Sequence, residues 1–482
     1  MSLLTAFHRQ CQRAPDHIAF AEGQRRFSYA QVKQQASVLG AYLAQRNIQG
    51  QRVVIALERG IDAAVAIISA LGAGACYIPL DTKNPPSRLN FIVNDAAPHC
   101  VIGKGACPEW LETPDLWLNI DQPPPAQAAD WPLTIANEET LAAILYTSGS
   151  TGAPKGVALS HRAMRNFADW ASCTFAIGAG DRIASLAPFH FDLSVFDLFS
   201  SLSAGAAVHF VPTGLTLSPS RLTAWLSDQR ISVFYTVPSL LGFIALKGSL
   251  ADNALPDLKT ILFAGEVFPT PQLKKLCELL PNVDFYNLYG PTETNVCCYW
   301  PVERDRLHDD QAVPIGMPAC GAVLSVDATT GELRVKSANN LSGYWQHGRL
   351  TPPALSDDEF YATGDKVSLN ERGEYCYHGR LDRMLKCSGY RVEPAEIESV
   401  IMTCPAVSSC AVTGIPDSAS GRRPAAALVL KPGATLNDVV KTAKQRLPAY
   451  MHPCKFIVLE SLPCLSNGKT DYQTLQQQLE NS

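Results

Sequence analysis

The sequence lacks the features that would place the protein in a membrane or outside the cell. No apolar run approaches the roughly 18–20 residues needed to span a bilayer. The amino terminus has no charged segment followed by an apolar one, the pattern of a signal peptide. The 15 cysteines are dispersed without a Cys-x-x-Cys pair, which is typical of reduced thiols. We therefore expect a cytoplasmic protein with no membrane partner.

A strongly basic segment is also missing. The 40 Lys and Arg residues are outnumbered by 45 Asp and Glu residues, which gives a formal net charge of −5. The charge pattern therefore gives no sign of a nucleic-acid-binding surface. The chain has 482 residues, 46% of them hydrophobic, and so belongs to the globular class. A single core stops growing at roughly 250–300 residues, so at least two domains are expected.

Helix-like and strand-like segments alternate over most of the chain. Helical spacing is found in residues 29–43 and 61–71, and strand-like runs in residues 52–57, 74–80, 233–238 and 260–265. Such alternation favours an α/β fold with a mainly parallel sheet. Ligands of such sheets bind at the carboxyl ends of strands.

The character of the chain changes at Asp382. A short basic segment, residues 386–391, precedes a helix that begins near Glu393 with Pro in its first turn. We predict a large N-terminal core, residues 1–381, with parallel or mixed sheets and flanking helices. Residues 382–482 are predicted to form a small, mobile α+β domain.

One stretch, residues 146–156 (Tyr-Thr-Ser-Gly-Ser-Thr-Gly-Ala-Pro-Lys-Gly), combines glycines, hydroxyl groups and a single lysine. A strand is predicted before it and another after it, with a helix beginning near His161. Glycines let backbone N–H groups approach a ligand closely, and one lysine among such donors suits a polyphosphate. The spacing is not that of a Walker P-loop. A flexible surface loop is the alternative, and composition alone does not decide between them.

Several carboxylates stand in unusual surroundings. Asp192 lies in an aromatic and aliphatic segment, where a buried carboxylate needs a cation or several donors. Asp197, nearby, is expected to cap a helix or to face solvent. Glu293 follows a Gly-Pro turn and would be unfavourable near phosphates unless it held Mg²⁺, although an ordinary solvated turn is the alternative. Asp365 is predicted to lie in a turn.

Five stretches together resemble the adenylate-forming superfamily, which includes acyl-CoA synthetases, firefly luciferase and the adenylation domains of peptide synthetases. They are residues 146–156, 289–293 (Tyr-Gly-Pro-Thr-Glu), 361–365 (Tyr-Ala-Thr-Gly-Asp), 379–382 (Gly-Arg-Leu-Asp) and 467–469 (Asn-Gly-Lys). The resemblance covers nearly the whole chain. It implies a two-step reaction, in which a carboxylate attacks the α-phosphate of ATP and a thiol then displaces AMP from the acyl-adenylate.

The resemblance also implies roles for matching residues. Thr292 would contact the α-phosphate, Glu293 would hold Mg²⁺, and Lys469 would bridge the substrate carboxylate and the α-phosphate. Asp382 matches the hinge about which the small domain rotates between the half-reactions. The implied ATP-binding residues are Thr147, Ser148, Gly149, Ser150, Thr151, Gly152, Lys155, Asn287, Tyr289, Asp365 and Arg380.

The same resemblance places Asp192 against the α-ammonium group of an amino acid. The implied pocket has an apolar wall without charge, which suits a small, compact hydrophobic amino acid. With Asp192 and Lys469 it is similar to the pattern of proline-activating enzymes, including free-standing L-prolyl-carrier-protein ligases. The wall residues are Leu193, Phe196, Tyr235, Leu262, Ala264, Leu288, Val296 and Cys297. Alanine or valine is the alternative substrate, and a one-residue shift would put Thr236 in place of Tyr235.

The implied function is ATP-dependent activation of L-proline and its transfer to a thiol. Few residues follow Lys469, so we expect the thiol to be the phosphopantetheine arm of a discrete carrier protein, with free coenzyme A as the alternative. A fatty or aryl acyl-CoA ligase offers no cation to Asp192. A catalytically inactive adenylate-binding protein would be expected to lack Lys155, Glu293 or Lys469, and all three are present.

Overall fold

The computed structural model describes residues 2–122, 136–250, 254–417, 421–464 and 470–482. The first strands are β1 (Ile18–Glu22), β2 (Arg25–Ser28), β3 (Arg52–Ile55), β4 (Cys76–Pro79), β5 (Cys100–Gly103), β6 (Trp117–Asn119), β7 (Leu141–Thr147), β8 (Lys155–Ser160), β9 (Arg182–Ser185) and β10 (Ala207–Phe210). The next are β11 (Val233–Thr236), β12 (Thr260–Ala264), β13 (Asp284–Tyr289), β14 (Cys298–Pro301), β15 (Met317–Pro318), β16 (Val323–Val326), β17 (Glu332–Lys336), β18 (Gly343–Gln346), β19 (Arg349–Thr351), β20 (Tyr361–Leu369) and β21 (Tyr375–Arg380). The last are β22 (Leu385–Cys387), β23 (Tyr390–Val392), β24 (Val407–Asp417), β25 (Gly421–Leu430) and β26 (Lys455–Val458).

Helices connect most of these strands. The helices before residue 381 are α1 (Thr5–Arg13), α2 (Tyr29–Gln45), α3 (Ile61–Gly72), α4 (Pro86–Ala96), α5 (His161–Thr174), α6 (Leu193–Val195), α7 (Ser201–Ala204), α8 (Pro219–Asp228), α9 (Pro238–Lys247) and α10 (Thr270–Leu279). A π-helical segment, Phe196–Ser200, joins α6 to α7. The later helices are α11 (Pro394–Met402), α12 (Leu436–Arg446) and α13 (Tyr472–Asn481). The predicted α/β class is confirmed.

Two large sheets form the bulk of the molecule. One has nine strands in the order β15-β14-β13-β12-β11-β9-β10-β1-β2, and the other has eight in the order β19-β18-β8-β7-β4-β3-β5-β6. Both are mixed. The nine-stranded sheet is parallel at its centre and antiparallel at both edges. The eight-stranded sheet is antiparallel from β19 to β7 and parallel from β7 to β6. One buried cluster joins residues of both sheets to α2, α3 and α5. Every residue of α3 except Asp62 is buried, which explains why its sequence is apolar on all sides.

A smaller, four-stranded antiparallel sheet has the order β16-β17-β20-β21. The prediction that residues 361–365 form a turn is wrong, because they lie on β20. The register of β20 with β21 sets Asp365 opposite Arg380. At Gly364, with φ +73°, a Cβ atom would lie 2.5 Å from a guanidinium nitrogen of Arg380, so a side chain there would displace Arg380.

The C-terminal region, residues 382–482, has its own sheet, in the order β23-β22-β25-β24 with β26 paired to β25. Residues of α11 and α12 pack with this sheet in one buried cluster, and residues of α13 pack with it in another. The boundary at residue 381 and the mobility of this region remain predictions. Among the described residues, none of the helices is both long enough and apolar enough to cross a bilayer. All 15 cysteines fall within the described ranges and are free thiols.

Candidate active site

The candidate site lies between the strand ends of the two large sheets and the C-terminal region. The parallel strands β11, β12 and β13 end at Thr236, Ala264 and Tyr289, and their carboxyl ends share one edge of the sheet. The glycine-rich stretch connects β7 to β8, with Thr147 paired opposite Lys155. The sequence-based placement of strands around this stretch is confirmed.

The glycine-rich stretch forms a tight turn. A Cβ atom at Gly149 would lie 2.0 Å from the backbone oxygen of Ala153, so only glycine fits there. Ser148 is buried, whereas Ser150 and Thr151 are exposed. A Cβ atom at Gly152, with φ +87°, would lie 2.9 Å from the Cβ atom of Ser399, so the turn packs closely against α11. This close packing favours an ordered binding turn over a flexible surface loop.

Glu293 is fully buried at the centre of the site. Its carboxylate contacts Lys155 Nζ at 3.3 Å and the Tyr344 hydroxyl at 3.1 Å, and Arg391 Nη1 lies 2.9 and 3.0 Å from its two oxygens. Burial raises the pKa of this carboxyl, but the charges of Arg391 and Lys155 outweigh burial and lower the pKa to about 2. Glu293 is therefore ionised, and the solvated-turn alternative is wrong.

No three His, Cys, Asp or Glu side chains within the described ranges form a group that could hold a metal ion. An ion at Glu293 would therefore need most of its oxygen ligands from a nucleotide and from water, which is the usual arrangement for Mg²⁺ with phosphates.

A cavity of about 800 Å³ opens between the N-terminal core and the C-terminal region. Asn287 and Tyr289 line it on one side and Lys386 on the other. Asn287 donates a hydrogen bond to the backbone oxygen of Pro314 at 2.7 Å, which fixes its amide. Lys386 Nζ lies 5.6 Å from the centre of the Tyr289 ring. The cavity thus offers the aromatic ring of Tyr289 and the amide group of Asn287, whose orientation is fixed.

Three residues predicted to bind ATP, Tyr289, Asp365 and Arg380, are linked by polar contacts. The Tyr289 hydroxyl donates to Asp365, and Arg380 Nη1 donates to the same carboxylate at 2.9 Å. Arg380 Nε also donates to Asp382 at 2.9 Å. The structure therefore brings Tyr289, Asp365 and Arg380 together and ties them to the predicted hinge residue Asp382.

A smaller cavity of about 110 Å³ continues toward the predicted substrate pocket. Asp192 lines it, and burial raises the pKa of this carboxyl, as does the charge of Glu293, whereas a hydrogen bond from Thr292 lowers it. The other predicted pocket residues that line it are Leu193, Tyr235, Ala264 and Val296.

The remaining predicted pocket residues, Phe196, Leu262, Leu288 and Cys297, are not in the lining of this cavity. The Phe196 ring packs edge-on against Tyr235, with 5.5 Å between the centroids. Leu262 and Leu288 belong to the same buried core as Phe196, and Cys297 packs in the cluster that contains Tyr289.

The prediction for Asp197 is wrong. Its side chain neither caps a helix nor faces solvent, since it is fully buried in the π-helical segment that follows Asp192. Burial raises its pKa to about 7, against the opposing charge of Arg59. π-Helical turns often occur at functional sites. Phe196 in this one packs against Tyr235, which lines the smaller cavity.

A hairpin of the C-terminal region, β22–β23, enters the site and was not assigned a role from sequence. The backbone N–H of Gly389 donates to Glu266 at 2.7 Å, and the Ser148 hydroxyl donates to the backbone oxygen of Arg391, also at 2.7 Å. The Tyr390 ring packs edge-on against Phe191 at 4.8 Å. The basic composition of residues 386–391 was the available signal. Lys469 lies outside the described residues.

The tip of this hairpin has room only for glycine. Gly389 has φ +81°, and a Cβ atom would lie 2.6 Å from Val237 Cγ1. We expect Gly389→Ala to slow transfer of a pre-formed adenylate to a thiol by about 10- to 30-fold, because the added methyl group would keep the hairpin from reaching this position. Gly433→Ala is the matched control, since Gly433 has φ +80° and open space around it. Equal transfer rates for the two variants, measured by mass spectrometry of the product, would contradict this expectation.

Sequence comparison identifies the family of this site. The model of the family described as AMP-binding enzyme matches residues 7–345, and that of the AMP-binding enzyme C-terminal domain matches residues 396–469. The chain belongs to the AMP-binding enzyme family. It is an AMP-forming ligase that uses ATP.

Curated relatives of this AMP-binding enzyme include two named L-proline--[L-prolyl-carrier protein] ligase. The one from Streptomyces coelicolor is 39% identical over 470 residues, which cover 88% of this chain and 87% of the relative. The one from Pseudomonas fluorescens is 34% identical over 491 residues and 97% of each chain.

Solved structures share the fold of this AMP-binding enzyme. An o-succinylbenzoate CoA synthetase from Bacillus subtilis superposes with a TM-score of 0.87 at 22% identity, covering 99% of this chain and 98% of that one. The Vibrio cholerae adenylation domain AlmE, in complex with glycyl-adenosine-5'-phosphate, superposes with a TM-score of 0.84 at 23% identity, covering 100% of this chain and 98% of that one. At these identities the likeness shows the fold alone.

Proposed function

We propose that this AMP-binding enzyme activates L-proline as prolyl-adenylate and transfers the prolyl group to the phosphopantetheine thiol of a discrete carrier protein. The observation that carries this proposal is the cavity of about 110 Å³ that joins Asp192 to Ser148 and Thr292. It is small, and the apolar side chains of Leu193, Ala264 and Val296 line it beside Asp192, whose carboxylate can pair with an ammonium group. The two ligases from Streptomyces and Pseudomonas act, by name, on the same amino acid and the same kind of acceptor.

In the first half-reaction the carboxylate of proline attacks the α-phosphate of ATP, and pyrophosphate leaves with the electrons of the broken P–O bond. Asp192 would pair with the prolinium group and orient the carboxylate toward the phosphate. Thr292 would contact the α-phosphate, and Lys469 would neutralise charge as it develops there. The residues of the glycine-rich turn and Lys155 would hold the β- and γ-phosphates.

The chemistry at Glu293 fits a magnesium ion. It is an ionised, fully buried carboxylate whose present partners are two cations, Lys155 and Arg391. A buried carboxylate with such partners can exchange one of them for a divalent cation with phosphate oxygens and waters as further ligands. When bound, Mg²⁺ would neutralise charge on the triphosphate.

In the second half-reaction a thiol attacks the acyl carbon, the acyl–phosphate bond breaks, and AMP leaves while the thiol proton is released. The enzyme supplies position rather than a covalent nucleophile. In the arrangement described above, β22–β23 contacts Ser148, Glu266 and Glu293, so the sites proposed for the triphosphate are engaged by protein. This arrangement suits the second half-reaction, after pyrophosphate has left.

ATP–pyrophosphate exchange across the amino acids tests the substrate. We expect L-proline to give the highest exchange rate, with D-proline, alanine and valine well below it. A signal from alanine or valine without one from proline would overturn the choice of proline and leave the ligase class intact.

Mass spectrometry of a phosphopantetheinylated carrier protein, with free coenzyme A in a parallel reaction, tests the acceptor. Prolyl-coenzyme A as the main product would overturn the carrier.

A further inference from the structure

The loop between β17 and β18 packs against the wall of the predicted substrate pocket. Residues 337–342 connect the four-stranded sheet to the eight-stranded one, and they contact the segment that joins β13 to β14 of the nine-stranded sheet. In that contact the backbone N–H of Leu341 donates to the backbone oxygen of Glu293 at 2.7 Å. The loop therefore supports the segment that carries both Glu293 and the pocket residue Val296.

Asn339 is the residue of this loop whose side chain reaches the pocket wall. It is fully buried. Its Nδ2 atom donates to the backbone oxygen of Val296 at 3.3 Å, and its Oδ1 atom accepts a hydrogen bond from Asn166 Nδ2 at 2.7 Å. Asn166, on α5, also donates to the backbone oxygen of Cys320 at 3.0 Å. The two amide groups thus form a buried network that ends on the main chain of Val296.

Val296 lies in irregular backbone, where side-chain hydrogen bonds replace those of a sheet. The residue before it, Asn295, has φ +48°, and the Asn295 side chain accepts the backbone N–H of Val296 at 2.7 Å. Because β14 begins at Cys298, the sheet does not include Val296. Asn295 and Val296 both line the smaller cavity. The amide of Asn339 therefore holds the carbonyl group of a residue that bounds the proposed substrate site.

We propose that Asn339 is a positioning residue that fixes the Val296 wall of the pocket and thereby limits the size of the amino acid that the enzyme activates. This inference rests on the proposed function. A buried carbonyl group without a donor is unfavourable, so loss of the Asn339 amide would let the Val296 segment shift toward another donor. The pocket would then accept a ring one methylene larger, which the fixed wall excludes.

L-Proline and L-pipecolic acid together measure this limit, because pipecolic acid has the same ring nitrogen and carboxylate with one more methylene. ATP–pyrophosphate exchange by the full-length enzyme gives kcat/KM for each acid. We expect the ratio of kcat/KM for proline to that for pipecolic acid to fall about tenfold in Asn339→Ala. The KM for ATP should stay within about twofold of the wild-type value. The reason is that the bond from Leu341 to Glu293 uses only main-chain atoms.

Two further variants sharpen the test. Asn340→Ala is the matched control, since Asn340 follows Asn339 in the loop but donates to the backbone oxygen of Val335 on β17 at 3.0 Å. Its ratio should match the wild type. In Asn166→Ala the Asn339 amide loses its support but can still donate to Val296, so the ratio should fall only about threefold. Adding Asn166→Ala to Asn339→Ala should change little, because both residues act through the same hydrogen bond.

An unchanged ratio in both Asn339→Ala and Asn166→Ala would overturn the role of Asn339. An equal rise in the KM values for ATP and proline would also overturn it, because that result indicates general loosening of the loop. If Asn339→Ala does not fold, Asn166→Ala decides between these outcomes. Absence of exchange with proline in the wild type would instead overturn the proposed function. The ratio for alanine against 2-aminobutyrate, or for valine against isoleucine, would then test Asn339 in the same way.

Discussion

Lys469→Ala is expected to lower the rate of prolyl-adenylate formation by about 10²- to 10³-fold, the usual loss for one group that stabilises developing charge. Transfer from supplied prolyl-adenylate should stay within about threefold of the wild type, because no negative charge develops between proline and ATP in that step. ATP–pyrophosphate exchange measures the first rate, and loading of a carrier protein from synthetic adenylate measures the second.

The arrangement of the site supports this separation of the two half-reactions. With β22–β23 seated, Ser148 and Glu293 are already engaged by Arg391, so this arrangement has no place for the triphosphate on which Lys469 would act. Lys441→Ala, at an exposed lysine of α12, serves as the control for removal of a charge. Loss of both half-reactions in a Lys469→Ala protein that unfolds at the wild-type temperature would refute the assignment.

Asp192→Asn is expected to reduce kcat/KM for proline by about 10²- to 10³-fold, because loss of one partner from a buried ion pair costs roughly 3–5 kcal/mol. Most of the loss should appear as a higher KM for proline, while the KM for ATP stays near the wild-type value. The surroundings of Asp192 explain the size of the effect. Burial and the charge of Glu293 both raise its pKa, whereas a hydrogen bond from Thr292 lowers it, and a cationic group of the substrate would favour the ionised form.

A matched control for this variant is Asp169→Asn, which makes the same replacement at an exposed position on α5. A second comparison uses cyclopentanecarboxylate, which resembles proline in shape but has no ammonium group. The wild type should discriminate strongly against this acid, and Asp192→Asn should do so much less. Wild-type kinetics in Asp192→Asn would remove the case for an amino-acid substrate and would favour a carboxylic acid–CoA ligase.

The local sequence was sufficient for most elements near the site. The alternation of apolar runs predicted β11 and β12, and the stretch before Gly149 predicted β7, because a buried strand is a short, continuous apolar segment. The prediction failed at Asp365, where Gly364 and polar neighbours resemble a turn. There the pairing of β20 with β17 and β21 holds these residues in a sheet, which no local signal reveals.

Local sequence patterns also did not reveal which single charged residues are buried. In the sequence, Asp197 resembles an exposed helix-capping residue, because it follows an apolar segment. The π-helical turn rotates its side chain inward, toward Ser185 and Arg59, which are far away in the sequence. Glu293 showed the same ambiguity. Its partners are Lys155 on β8, Tyr344 on β18 and Arg391 on β23, all of which are distant from it in the sequence.

Local sequence patterns predicted the chemistry of this protein: a glycine-rich turn with a lysine, Glu293 as a candidate metal ligand, and Asp192 in an apolar segment. These signals are local, since each depends on residue types at short spacing. Only the folded arrangement shows which groups lie in the site together. It set Arg391 and Gly389 of the C-terminal region against Glu293, Ser148 and Glu266. These contacts join residues 98 or more positions apart. They depend on how the C-terminal region meets the large sheets, and no short stretch of sequence encodes that.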